Sequence, residues 1–207
     1  MAIVAIDIET VPREGIMDTW YPAWAAEKFP GVEGEELESK AALFPEFGQV
    51  CCISYTDADR PGTIIKNRVA GSLDEERDLL QYFADNMPWN TTLVGHNLKG
   101  FDIPFIVKRC MAHGLKVPEP LQILGKKPWE VKHLDTMELL RFGSANMTLR
   151  SACLLLGLDD PKSDTCGAKV WDMYRDGKLD SIAKYCDGDV EAVRGIYLKL
   201  RDLVGGI

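Results

Sequence analysis

The opening run limits the fold more than any other part of the chain. From Ala2 to Ile8 the residues are small or β-branched and apolar, until Asp7 and Glu9 introduce two carboxylates. Such a run reads as a buried strand with charge gathered at its far end. No basic stretch precedes Asp7, so the start does not read as a signal or transit peptide.

The order of the remaining elements extends this picture. Gln49–Thr56 and Thr63–Val69 read as strands joined through the turn-forming DADRPG stretch, a hairpin. Ser72 opens a helix with Glu75 three residues later, Leu73, Leu79, Leu80 and Phe83 form its apolar face, and Pro88 closes it. Thr92–His96 is a fourth strand, and a helix over Asp102–His113 ends at Gly114. Val131–Leu134 is a candidate fifth strand. Helices are expected near 135–141, 148–156 and 168–175, and a last one from Asp180 to Leu203. Strands that first pair antiparallel and then alternate with helices predict an α/β protein: a mixed five-stranded sheet with helices on both faces. Residues 12–47, rich in aromatics and prolines, and residues 115–130 read as irregular insertions into a single domain spanning 1–207.

Composition narrows the class. The chain has 207 residues, 46% apolar and 27% charged, enough to bury a core without disulfides. No apolar run is long enough to cross a membrane. The six cysteines form no C-x-x-C pair, and with three histidines lacking ligand-spaced partners they do not make a zinc site. They read as reduced thiols filling the core of a cytoplasmic protein. A net charge of −8 argues against coating duplex nucleic acid through a basic surface. It leaves room for an acidic site whose charge bound cations offset.

Three acidic segments carry the chemistry. Asp7 and Glu9 are two apart on a strand, so both point to one face. Alone, such a pair is most often two solvated charges; held together, it needs a cation or a proton. The second segment is Asn97-Leu98-Lys99-Gly100-Phe101-Asp102, where a strand end passes through a turn into a helix. A helix cap accounts for Asp102 but not for Asn97 and Phe101. The third is Tyr185-Cys186-Asp187-Gly188-Asp189 on the last helix, where Tyr185 and Asp189 share a face and Asp187 is rotated toward solvent. Asp7, Glu9, Asp102 and Asp189 supply hard oxygen ligands from three distant elements. That suits two divalent cations, Mg2+ or Mn2+, acting at a phosphodiester.

In this order the segments resemble the motifs of the DEDD (DnaQ-like) superfamily of 3′–5′ exonucleases. D-x-E is matched by Asp7-Ile8-Glu9, N-x-x-x-F-D by Asn97 to Asp102, and Y-x-x-x-D by Tyr185 to Asp189. Lys184 stands where the histidine subgroup would carry histidine, so the tyrosine subgroup is indicated. The wording GHNLKGFDIPF and YCDGDV is similar to the proofreading exonuclease domain of family B DNA polymerases, and the chain looks like a stand-alone relative of it. The resemblance spans residues 2 to about 200 and implies the ribonuclease H-like fold. It also implies that Asp7 bridges two metals, Glu9 and Asp189 complete one site, and Asp102 holds the other. Tyr185 would position or activate the attacking water. Ile8, Thr10, Asn97 and Phe101 would contact the terminal nucleotide.

Other residues have weaker claims. Lys99, Lys126, Lys127 and Lys132 are candidate phosphate contacts, and Trp20, Trp24 and Trp129 candidate stacking platforms, although solvated or packing roles are commoner for both types. Asp135 reads as a helix cap and supporting residue. Asp164, Cys166, Gly167 and Lys169 resemble a substrate-side loop. The expected activity is cleavage of single-stranded DNA from a free 3′ end, releasing nucleoside 5′-monophosphates. An exoribonuclease or a catalytically silent nucleic-acid-binding module of the same fold are the alternatives. No membrane partner is expected, and protein partners are not legible.

Overall fold

The computed structural model describes residues 2–60, 62–63, 65–127, 130–141, 145–161 and 169–204. The opening run forms β1 (Ile3–Pro12). It pairs antiparallel with β2 (Gly48–Asp57), which pairs antiparallel with β3 (Lys66–Val69). On its other side β1 runs parallel to β4 (Thr92–Gly95), and β4 runs parallel to β5 (Leu134–Asp135). The order β3-β2-β1-β4-β5 puts β1 at the centre of the expected mixed five-stranded sheet. The helices are α1 (Tyr21–Lys28), α2 (Gly34–Lys40), α3 (Leu73–Asn86), α4 (Asp102–Ala112), α5 (Thr136–Arg141), α6 (Leu149–Leu156), α7 (Val170–Arg175) and α8 (Leu179–Val204). No helix among the described residues is long and apolar enough to cross a membrane.

Strand alternation explains the layers. Val4, Ile6 and Ile8 point to one face and pack with Leu79, Leu80 and Phe83 of α3 and with Ile103 and Ile106 of α4. Ala5 points to the other face and packs, with Val94, against Val190, Val193 and Ile196 of α8. Helices therefore cover both faces, and Asp7 and Glu9 share the parity of Ala5 on the α8 side. The pairing of β1 with β2 shifts just after Glu9, from Glu9 opposite Cys52 to Thr10 opposite Val50. Cys51 is the extra residue in β2, a bulge. With the alternation broken there, the adjacent Cys51 and Cys52 join the same buried cluster with Val11, Ile182 and Cys186.

Several sequence expectations shift. The fifth strand is Leu134–Asp135, not Val131–Leu134. Leu73 opens α3 exposed instead of on its apolar face. The buried place in that first turn goes to Glu76, held by a partner on another helix. Residues 13–47 are ordered around their own aromatic core: Tyr21, Phe47, Ile16 and Leu37 are buried, and Trp24 packs at ring-centroid distances of 4.9 Å from Phe44 and 4.8 Å from Phe47. The Tyr21 hydroxyl donates to Leu37 O at 2.6 Å, closing α1 onto α2. Trp24 is thus a packing residue. Trp20 is exposed but meets Phe47 edge-on.

A buried ion network joins α3 to α4. Glu76 Oε1 accepts from Val50 N at 2.7 Å and Arg109 Nε at 2.9 Å, and Glu76 Oε2 meets Arg109 Nη2 at 2.6 Å and His113 Nε2 at 2.7 Å. Glu76 is fully buried and Arg109 nearly so. Deleting one partner strands the other charge without water. Glu76→Ala is expected to lower stability by about 3–5 kcal/mol in urea unfolding. Glu46→Ala, which breaks the exposed 3.0 Å pair with Lys108, should lower it by under about 1 kcal/mol.

Candidate active site

The carboxyl end of β1 meets the start of α4. Asp102 opens that helix, is almost fully buried, and accepts a hydrogen bond at Oδ1 from Ile8 N at 3.2 Å. This bond places the Asp102 carboxylate beside the peptide that joins Asp7 to Glu9. Burial, and then the charge of Asp7, push the Asp102 carboxyl well above the usual carboxylate range, against its backbone hydrogen bonds. Ile8 contributes its backbone here, while its side chain lies in the core on the opposite face.

The turn before Asp102 is fixed from β5. Asp135 accepts from Asn97 N at 2.9 Å, Lys99 N at 3.0 Å and Met137 N at 3.1 Å, so it caps α5 and pins the 97–99 turn together. Asn97 sits in the left-handed region at φ 61, and its carbonyl accepts from Gly100 N and Phe101 N. Its amide Oδ1 lies 2.4 Å from where a Cβ at residue 100 would stand, which accounts for glycine there. Asn97 therefore shapes the turn that delivers Phe101 and Asp102.

The third segment arrives on α8. The Cys186 thiol is 3.4 Å from Asp7 O and 3.5 Å from Asp7 Oδ2, its single S–H shared between the two acceptors. Ligand atoms of Asp7, Glu9 and Cys186 all lie within 4.8 Å of one another. Burial, then contact with Cys52, push the Cys186 thiol well up, so it is a neutral donor rather than a thiolate. This cysteine is more than core filler. Asp189 follows three residues later, on the same side of the helix and nearly buried. Tyr185 is half-buried against the cluster holding Cys52 and Trp171.

One expectation is corrected. Asp187 does not face solvent: it accepts from Ser54 Oγ at 2.8 Å on β2 and from Asn67 Nδ2 at 2.8 Å on β3. The sheet edge reaches the side of α8 that the helix taken alone leaves open. Asp187 thereby pins α8 across two strands between Tyr185 and Asp189.

Beside Glu9 a groove of about 310 Å3 opens, lined by Ile8, Thr10 and Phe101 from the motif segments. Its other walls are Ser39, Lys40, Ala42, Leu43 and Trp171. Thr10 Oγ1 donates to Ala42 O at 2.8 Å, tying the strand to that wall. No local pattern marks these wall residues in the sequence, because only the folding of residues 13–47 onto β1 brings them here. Lys99 pairs with Glu138 at 2.7 Å. Lys126 and Lys132 line a separate cleft with His133 that shares no residue with the groove, and exposed Lys127 lies outside both. Lys169 precedes α7, whereas Trp129, Asp164, Cys166 and Gly167 lie outside the described residues.

These residues fit divalent cations. Asp7, Glu9 and Asp102 are gathered along the second half of β1, and the charge of Asp7 raises the cost of ionising Asp102. A hard cation relieves that repulsion and prefers oxygen ligands. A carboxyl raised in the folded state binds its proton more tightly there than when unfolded. Its contribution to stability is present at acid pH and is lost as pH rises from 3.8 through the raised value. In chelator, Asp102→Asn is therefore expected to unfold at a higher temperature than the parent. That advantage should grow between pH 4 and pH 7 and shrink when Mg2+ is added. Thermal unfolding of both proteins across this range checks it.

A family model described as "Predicted 3'-5' exonuclease related to the exonuclease domain of PolB" matches residues 43–207. The matched stretch contains Asn97–Asp102 and Tyr185–Asp189 and begins after Asp7 and Glu9. No curated protein matches the chain significantly. Its fold is that of a mixed α/β exonuclease domain, and the chain belongs to this family of predicted 3′–5′ exonucleases related to the PolB exonuclease domain.

Proposed function

We propose that the protein is a metal-dependent exonuclease that removes nucleotides from the 3′ end of single-stranded DNA and releases nucleoside 5′-monophosphates. One observation carries this reading: Asp102 is bonded to the backbone between Asp7 and Glu9 while Cys186 of the Tyr185–Asp189 turn touches Asp7. Three segments separated by most of the chain thereby share one strand end.

Asp7, Glu9, Asp102 and Asp189 would hold two cations, Mg2+ or Mn2+. When bound, such ions polarise the scissile phosphate and make water more acidic. The chain's own residues do the rest. Asp7, close to Glu9 and one peptide from the Ile8 N–H that Asp102 accepts, would contribute its carboxylate to the cations. Tyr185 would orient the attacking water from α8 by a hydrogen bond in which its hydroxyl keeps its own proton, the water's proton leaving to bulk solvent. Phe101 packs on the terminal nucleoside in the groove beside Glu9 and Thr10. Leu43 and Trp171 supply apolar wall that keeps bulk water from the bound nucleoside. Asn97 and Asp135 hold the turn, so Phe101 and Asp102 arrive without reorganisation at each turnover.

The test is digestion of single-stranded DNA and RNA oligomers labelled at the 3′ or the 5′ end, with Mg2+, Mn2+ or chelator. Stepwise loss from the 3′ end of DNA, abolished by chelator, is expected. Release from the 5′ end, or metal-independent release, overturns the reading, and faster digestion of RNA reassigns the substrate. Asp7→Ala should lose cleavage by several orders of magnitude with its circular dichroism unchanged. Tyr185→Phe should lower kcat with little effect on the Mg2+ concentration giving half-maximal activity; unchanged kcat removes the tyrosine from the mechanism.

A further inference from the structure

The groove beside Glu9 shares Trp171 with a second cavity. That cavity is a cleft of about 730 Å3, lined among others by Arg13, Gln49, Tyr174 and Arg175. Trp171 lines both spaces. Their sizes fall within the range of small-ligand sites, about 300–1,000 Å3. Arg13 directly follows β1 and lies four residues beyond Glu9, so at about 3.3 Å per strand residue its Cα is within about 13 Å of Glu9.

Arg13 is the group there that lacks an anion. Its backbone N donates to Phe47 O, but its guanidinium makes no hydrogen bond or ion pair among the described residues, and its Nε is buried. The carboxylate whose charge acts on Arg13 is Glu76, and its two oxygens are already taken by Arg109, His113 and the Val50 N–H. Burial, and then the charge of Arg109, lower the Arg13 pKa, and Glu76 offsets this only in part. Arg175 is not equivalent: it is bonded to Glu35 at 3.0 Å and Asp172 at 2.6 Å. Glu14 and Glu38 also line the cleft and bond neither arginine. A half-buried guanidinium with unfilled donors is matched by a phosphate, whose oxygens suit its planar fork. The indole between groove and cleft offers an aromatic wall of the kind along which single strands track.

We propose that the cleft beyond Trp171 is a phosphate subsite for the same strand that enters the groove, with Arg13 as its cation. The inference rests on the nuclease reading for the nature of the strand. Two phosphates fit the chemistry: a phosphate on the 3′ terminus, or the diester of a neighbouring nucleotide.

Binding in chelator tests the subsite apart from cleavage. Fluorescence anisotropy would be read with 5′-labelled DNA di-, tri- and hexanucleotides bearing a 3′-hydroxyl or a 3′-phosphate, over a series of salt concentrations. Arg13→Gln is expected to weaken binding about tenfold and to lower the log–log salt slope by about 0.7, the value for one single-strand phosphate contact. Weakening confined to 3′-phosphate ends assigns the terminal phosphate; weakening that grows from dinucleotide to hexanucleotide assigns the diester. Arg13→Lys, which keeps the charge and loses the fork, should retain the slope with an intermediate affinity, and guards against misfolding of the first variant. In the parent, inorganic phosphate should compete with the oligomer. Unchanged affinity and slope in folded Arg13→Gln for every oligomer overturns the subsite, even if cleavage proceeds. Absence of cleavage in the parent with intact, Arg13-dependent binding instead overturns the nuclease reading and leaves the subsite standing.

Discussion

The hydrogen bond from the Ile8 N–H to Asp102 is the contact on which the rest of the site depends. It is made by a backbone donor within the central strand, past the last residue paired with β4 while β2 still pairs on the other side. It draws a carboxylate into a place where burial and Asp7 both oppose its charge. An apolar side chain at residue 102 would be easier to bury there. The arrangement makes physical sense for a protein whose acidic groups are completed by cations, because the ions turn a repulsive cluster into an attractive one.

Around that contact, rigid elements fix each partner. Asp135 ties the turn preceding Asp102 to the end of β5 through the Asn97 and Lys99 N–H groups, within 3.0 Å, and caps α5 through Met137 N. Asp187 ties α8 to β2 and β3, and Cys186 closes the gap to Asp7. The bulge at Cys51 gathers two thiols behind the acidic pair, where alternation alone would send one of them to the opposite face. None of these supporting groups needs to meet substrate, yet each limits how far an acidic side chain can drift. Precision of this kind decides whether four carboxylates make a site or merely a charged surface.

The segment from Arg13 to Phe47 changes how the site is bounded. It folds on an aromatic core and sets Ser39, Lys40, Ala42 and Leu43 against the groove. Residues 43–207 match the family model, so most of this wall lies before the matched stretch. The matched stretch carries Asn97–Asp102 and Tyr185–Asp189, whereas Asp7, Glu9 and most of the groove wall lie before it.

Much of the fold was legible without coordinates. The apolar run ahead of Asp7 read as a buried strand, and the alternation after residue 72 called for helices on both faces; both follow from local periodicity, while the central place of that strand is set by the topology. The acidic residues were legible by type and spacing, because Asp7 and Glu9 on one strand face, and Tyr185 and Asp189 on one helix face, are fixed by backbone geometry. Tertiary structure decided what periodicity cannot encode. Asp187 looks solvent-facing on an isolated helix and becomes a bridge only when Ser54 and Asn67 arrive from the sheet. Glu76 breaks the apolar face of its helix and is tolerated because Arg109, 33 residues away, neutralises it. The groove wall and the cleft at Arg13 likewise exist only once distant segments close, since the cost of burying a charge or the shape of a cavity depends on partners that sequence distance does not reveal.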